Sequence, residues 1–452
     1  MPVDRLGRNR DVAKPHASPG NDRMNNRLIW LILLFLILPC HLAFGQSIMV
    51  GPDGKFEKNV LNLPFAFYNE DFGFAAAYAY AVTGFPQKQA ALISTAMVGS
   101  KGSGMGFLMG RDLQMPFFDR LFLDAIVQAG YFQDLDIYVN GNRDFPNERA
   151  GSNDSDEDNF VNSDGTWDTF FRLRFKYLLP LGHGRETIIA TQVVDQGMLV
   201  KGATGAETWN PLESGLTYLE MQPFYRLQQV DSDDVREDVK TNGLEVSLFH
   251  DNRDFRFNPS RGSAIRLSLT RDFGWFDSLN SWTVVDSEID KYFSLGESDW
   301  FRQRVFAFNF WTAYSPTWDK QDNGDVKNGP PTYAGATLGG LWRLRGYPSQ
   351  RFSDKAAIYY AAEYRMIPRW NPFENWDRVQ EYVGIQWLQF VPFVELGRVA
   401  PDWGVSRLHE DMKWCAGLGL RLWAKGLVIR IDTAVSEEQV GVQMMVAQPF
   451  QF

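Results

Sequence analysis

The 452-residue sequence predicts an all-β fold, a transmembrane antiparallel β-barrel of about sixteen strands with a long extracellular loop. Three observations carry that prediction. An export signal stands near the start of the chain. Beyond residue 70 no apolar run approaches the roughly 20 residues of a membrane helix. Period-two alternation over about ten residues recurs instead, with Gly, Pro, Asn and Asp between the runs.

Met24 to Ser47 reads MNNRLIWLILLFLILPCHLAFGQS, with Arg27 as the positive start and Leu28 to Leu38 as an apolar core of 11 residues. Ala43-Phe44-Gly45 offers a small-x-small cleavage site before Gln46, and the core is too short for a membrane anchor. Residues 1–45 therefore read as an N-terminal extension and cleaved signal peptide, 46–71 as a short periplasmic leader, and 72–452 as the barrel. Cys40 lacks the small preceding residue of a lipoprotein signal. Cys415 alone remains, with no partner for a disulfide or a metal site.

A net charge of −10 and a pI near 5.2 argue against nucleic acid as a partner. A mean hydropathy of −0.29 argues against a bundle of membrane helices. The five histidines show no HExxH-like pairing, and no cofactor or metal site emerges. The acidic run Asp154, Asp156, Glu157 and Asp158 reads as a solvated loop rather than a Ca²⁺ site.

Strands are expected at 72–83, 89–98, 105–113, 120–133, 167–178, 187–198, 214–228, 243–251, 263–273, 282–293, 300–312, 356–367, 385–396, 412–424, 426–434 and 439–447. The last strands alternate best. Leu427, Ile429, Ile431 and Thr433 oppose Val428, Arg430 and Asp432, and Val440 and Val442 oppose Gly441 and Gln443. In 356–367, Ile358, Tyr360, Ala362 and Tyr364 oppose Tyr359, Ala361, Glu363 and Arg365. A soluble sandwich would also show one apolar face. Export, long strands and aromatics at strand ends favour the barrel, with Trp300, Phe301, Trp311, Trp370, Trp376, Trp387 and Trp414 in its interfacial girdles. This strand set puts the acidic segment 134–166 on the periplasmic side, where turns are usually short.

The stretch Leu338 to Phe352, LGGLWRLRGYPSQRF, places Arg343 and Arg345 among Trp342, Leu344 and Tyr347. A loop in open water has little reason to carry so many aromatics, so its cations are expected to seek buried carboxylates. Gly346 is expected to supply a tight bend or a positive φ.

With these residues in view, the second half of the chain resembles the BamA/TamA-type outer-membrane assembly factors, the bacterial surface-antigen superfamily. Asp251-Asn252-Arg253-Asp254 followed by Pro259 and Gly262 resembles that family's periplasmic DxRD…P…G turn. Leu344-Arg345-Gly346-Tyr347 resembles the (V/I)RG(F/Y) tip of its sixth extracellular loop, and Glu363-Tyr364-Arg365 is similar to the strand that follows. Phe393-Val394-Glu395-Leu396-Gly397 is similar to its F-x-D-x-G strand, with Glu in place of the usual Asp. Gly441 and the terminal Phe452 suit a C-terminal strand signal.

The resemblance implies that the loop folds into the lumen and that Arg345 pairs with Glu395, with Glu363 nearby. It also implies a setting among outer-membrane lipids and lipopolysaccharide, and unfolded outer-membrane proteins as clients. About 25 residues between the cleavage site and the first expected strand leave no room for the family's periplasmic POTRA domains. Two readings of function stay open, an assembly or translocation barrel acting through the seam between its first and last strands, and a passive pore. A barrel enzyme is the third. Its nearest constellation, His250 with Asp251 and Asp254, sits inside the turn motif and reads as structural.

Overall fold

The structure, a computed structural model, describes residues 47–69, 71–232, 235–321 and 326–446. The signal sequence and Phe452 lie outside the described residues. Sixteen strands form one sheet in chain order. They are β1 (Asn59–Asn69), β2 (Gly73–Thr83), β3 (Ala91–Gly99), β4 (Gly104–Gln114), β5 (Leu121–Ile137), β6 (Val161–Leu178), β7 (Leu216–Asp231) and β8 (Arg236–Arg253). There follow β9 (Gly262–Phe273), β10 (Ser281–Ser294), β11 (Phe301–Tyr314), β12 (Ala356–Pro368), β13 (Ile385–Ala400), β14 (Lys413–Ala424), β15 (Leu427–Val435) and β16 (Val440–Val446).

Every neighbouring pair is antiparallel, so alternate residues share a face. One face exposes Leu248, Leu267, Phe293, Phe306, Phe308, Val394 and Leu418. The opposite face buries Arg266, Asn309, Glu363, Glu395, Arg421, Arg430 and Asp432. This is the arrangement of a membrane barrel, apolar toward lipid and polar toward its lumen.

Two expected elements change. Residues 59–69, assigned to the leader, form the first barrel strand, paired along its length with β2. Pro64 argues against a strand interior, yet a proline is tolerated in an edge strand, which is where β1 lies. Residues 187–198 are not a barrel strand. Ala190–Asp195 turns back at Gln196 and Gly197, at φ of 46° and 72°, to pair with Met198–Lys201, as a two-residue hairpin turn requires. Ser47–Val50 adds to Ala190–Asp195 in parallel, completing a three-stranded sheet apart from the barrel wall.

Counting β1 also moves the acidic segment. The described chain enters β1 and leaves β16 at one end of the barrel, here the near end. The connection 138–160 now lies at the opposite, far end beside the 315–355 loop, not on the side first expected. The two loops are tied there by Arg149 to Asp354 (2.7 Å) and by Ser353 N–H to the Gly151 carbonyl (2.7 Å).

At the near end the three-stranded sheet closes on the lumen. Met49, Val194, Met198 and Leu199 pack with Phe255, Ile367, Trp387, Trp423 and Val428, and the Trp387 indole donates to the Gly197 carbonyl (3.1 Å). Trp387 shares its face with Glu395, and Trp311 shares its face with Asn309. These two expected girdle residues are therefore buried in the lumen, whereas Trp300, Trp370, Trp376 and Trp414 are exposed.

The ends of the sheet meet through side chains. Leu61, Ala81 and Ile93 lie opposite the exposed face of Phe74, Tyr78 and Val98, and they share an apolar cluster with Leu427 and Ile429. Those two stand on the face of β15 opposite Arg430 and Asp432. The inner side of β1–β3 thus covers the outer side of β15, and the seam is an overlap.

Candidate functional site

The 315–355 loop descends into the lumen because its backbone turns sharply at glycines and its side chains find buried partners. Gly339 and Gly340 have φ of 105° and 98°, and Leu344, unusually for a branched residue, has φ of 55°. Gly339 N–H donates to the Arg343 carbonyl (2.9 Å) and Tyr347 N–H to that of Leu344 (3.0 Å). Leu344 and Tyr347 are buried, and the Tyr347 ring stands edge-on to Phe352 with centroids 5.1 Å apart.

Gly346 does not have a positive φ. A Cβ there would stand 2.8 Å from Cys415 Cβ and 3.1 Å from Ser436 Cβ, so the glycine serves close packing against β14 and the β15–β16 turn. The Gly346 carbonyl accepts from the Ser436 hydroxyl (2.8 Å).

Arg345 sits at the centre. Its backbone N–H and Nε both donate to Glu395, at 2.6 and 2.7 Å. One terminal nitrogen reaches Glu363 (3.0 Å) and the other reaches Asp432. The guanidinium lies 3.6 Å from the Phe393 ring centroid, a cation–π contact. Glu363 also holds Arg421 (2.7 Å) and Arg365 (2.8 Å), and Glu395 accepts from the Tyr359 hydroxyl (2.6 Å) and the Cys415 thiol (3.0 Å).

With Arg430, 3.5 Å from Asp432, four guanidiniums and three carboxylates form one network, each residue at most 1 % exposed, where solvent screens little. Arg343 leaves it for β10, with Glu288 at 2.8 Å and the Trp311 ring 4.0 Å from its guanidinium carbon. The tip also bonds the last strands through its backbone. Gln443 donates to the Arg345 carbonyl (3.0 Å) and Arg430 to the Leu341 carbonyl (2.9 Å). Gly441 belongs here, since a Cβ on it would lie 3.2 Å from the Arg345 carbonyl oxygen.

Arg351 completes the far end, pairing with Glu438 (2.8 Å) and donating to Ser155 of the 138–160 connection (2.9 Å). Burial pushes the Glu438 carboxyl up despite that arginine.

The turn motif lies at the near end, apart from the loop. Asp251 binds Arg253 through both oxygens at 2.7 Å. Asp254 accepts the N–H groups of Phe255 (2.9 Å), Ser260 (2.9 Å) and Arg261 (3.3 Å) around the turn containing Pro259, and burial holds its carboxyl above the ordinary range. Gly262, at φ of 100°, opens β9. His250 bonds the Thr217 hydroxyl (3.0 Å) rather than either aspartate.

Sequence reasoning missed four participants. Asp432 and Arg421 stood on the polar face of strands already recognised, but only the strand register shows that they converge on Arg345. Tyr359 carried the same signal, weaker because aromatic. Asn252, inside the turn motif, clamps the connection at 204–215. Its carbonyl oxygen accepts Ala206 N–H (2.9 Å) and the Ser214 hydroxyl (2.6 Å), and its amide donates to the Thr208 carbonyl (2.8 Å).

Fold and site together define an outer-membrane type of β-barrel whose longest described far-end loop is bound inside the lumen by a buried arginine. The Omp85 superfamily domain matches residues 207–436, and the chain belongs to that superfamily.

One solved structure is similar in fold, and two more match with lower scores. CdiB from Escherichia coli is 12 % identical, with 86 % of this chain and 62 % of that one covered and a TM-score of 0.51. BamA from Haemophilus ducreyi lacking POTRA domains 1-3 is 12 % identical over 86 % of this chain and 70 % of its own, with a TM-score of 0.43. CdiB from Acinetobacter baumannii is 11 % identical over 86 % and 59 %, with a TM-score of 0.47. The chain thus covers under two thirds of both CdiB chains, and at 12 % identity the likeness to the Escherichia coli CdiB shows the fold alone. No curated protein matches the sequence.

Proposed function

We propose that this barrel assists the assembly or translocation of other outer-membrane proteins through the seam between β1 and β16, with the loop tip as its latch. One observation carries the reading. The tip is bonded to β16 through Gln443, to β15 through Arg430 and to the turn between them through Ser436, so moving the loop must disturb the strands that form the seam. Edge strands offer unpaired backbone groups to an incoming strand. In β1, Pro64 already withholds one donor.

In this reading residues 1–45 export the chain, the near end faces the periplasm, the surroundings are lipid and lipopolysaccharide, and unfolded barrel proteins are the clients. Arg345, Glu395 and Glu363 hold the latch, and the Asp251–Gly262 turn is structural. A passive pore is disfavoured by the hairpin packed against the near-end lumen wall and by the loop tip bound within the lumen.

The test is depletion of the protein followed by quantitative proteomics of the outer membrane, with a photo-crosslinker at Val442 on the exposed face of β16. Loss of other barrels together, with clients crosslinked at Val442, is the expected result. An unchanged inventory with no crosslinks would refute a client role.

A further inference from the structure

The outer surface at the near end carries an unusual cation. Asn252, Ser263, Lys291 and Phe308 lie in one cross-strand row on the outward face of β8–β11. Lys291 is flanked along its strand by the exposed Ile289 and Phe293. An ammonium on an apolar, lipid-facing surface is costly unless it reaches the polar interface or a counter-charge. Among the described residues no carboxylate pairs with it.

Instead the indole of Trp209 lies 3.8 Å from its nitrogen and the Phe293 ring 5.3 Å away. Trp209 is exposed and is brought there by the 204–215 connection that Asn252 clamps. The exposed side chain of Arg261 joins Lys291 and Trp209 around one cavity of about 320 Å³. Glu207 also lines it, but its carboxylate accepts from the Ser214 hydroxyl (2.7 Å) and faces His183 (3.7 Å).

We infer that this cavity binds the phosphate of an anionic glycerophospholipid headgroup, with Lys291 and Arg261 as counter-charges and Trp209 as the interfacial wall. Two cations without an acidic partner among the described residues match a phosphate, and an indole beside an exposed apolar row matches the boundary between headgroup and acyl chain. The choice of phospholipid over lipopolysaccharide rests on the proposed periplasmic orientation of the near end.

The test is native mass spectrometry of the full-length protein in detergent with added phosphatidylglycerol, phosphatidylcholine, lipopolysaccharide or inorganic phosphate. Wild type should retain phosphatidylglycerol in preference to phosphatidylcholine. Lys291→Gln and Arg261→Gln should each lower that retention roughly fivefold to tenfold. Unchanged electrophoretic folding of both variants excludes trivial loss, and Trp209→Leu, which leaves the charges in place, should also weaken retention.

Equal retention by the Gln variants, or no preference in wild type, would overturn the site. Displacement of lipid by inorganic phosphate would overturn the lipid as its source. Retention of lipopolysaccharide in place of phosphatidylglycerol, abolished by the same variants, would overturn the phospholipid and with it the orientation.

Discussion

Replacing Arg345 with alanine removes a guanidinium shared by three buried carboxylates, and the loss falls unequally. Glu363 keeps Arg421 and Arg365, and Asp432 keeps Arg430 at 3.5 Å. Glu395 keeps the backbone N–H of residue 345, the hydroxyl of Tyr359 and the thiol of Cys415, but loses its guanidinium. Breaking a buried pair from one side costs about 3–5 kcal/mol, and most of that would arise at Glu395. Glu395→Gln should cost less, about 1.5–3 kcal/mol, because Arg345 keeps two other carboxylates. Once Glu395 is neutral its stranded charge is gone, so the double variant should be more stable than the sum of the single losses predicts, with a coupling of about 1.5–3 kcal/mol. The assay is denaturant unfolding in lipid vesicles, followed by tryptophan fluorescence and by the mobility shift between folded and unfolded barrel. Additivity within about 0.5 kcal/mol would refute the pairing as the anchor of the loop.

The remaining predictions concern the packing, the near-end hairpin and the turn. Gly346→Ala should cost about 1–3 kcal/mol, since its methyl group meets Cys415 and Ser436 on the wall; an unchanged unfolding midpoint would show that the tip does not seat there. Gly197→Leu places a Cβ 2.5 Å from Trp387 Nε1 and 2.7 Å from Trp423 at a positive φ, and should expel the hairpin. Conductance across a planar bilayer should rise, and an unaltered current would refute its role as a stopper. For Asp254, burial raises the folded-state pKa, so the native chain holds that proton more tightly than the unfolded one. Its contribution is complete below the unfolded value near 3.9 and is lost as pH rises through the folded value. Asp254→Asn should flatten that part of the stability profile, and an unchanged slope in unfolding midpoints would refute it.

The wall of the barrel was legible in the sequence because a half-buried strand shows its two faces as alternation, and the inward Glu395 and Glu363 were legible with it, whereas Arg345 stood out by its aromatic loop and its pairing was implied only by the resemblance. Strand β1 was not, because Pro64 imitates a break at an edge where a missing N–H is tolerated. The hairpin at 190–201 deceived in the opposite direction, since an apolar alternating run looks the same in a plug as in a wall. Gly346 does lie in a tight turn, closed by Tyr347 N–H on the Leu344 carbonyl, but without a positive φ, and it is close approach that demands glycine there. Whether a glycine serves φ or close approach depends on Cys415 and Ser436, neither of which is near it in the chain. The convergence of Arg421 and Asp432 depends on register, which one strand cannot reveal about its neighbours.

The stoppers at the two ends of the lumen also bear on the order in which the molecule comes together. The Trp387 bond to the hairpin spans 190 residues, and the Arg149 bond to Asp354 spans 205. Contacts of such separation gain little until the intervening strands have paired, because closing long loops costs entropy first. The barrel wall must therefore be nearly complete before the hairpin and the far-end loops seat. They seat last, in a late step that a slow refolding phase absent from Gly197→Leu would expose.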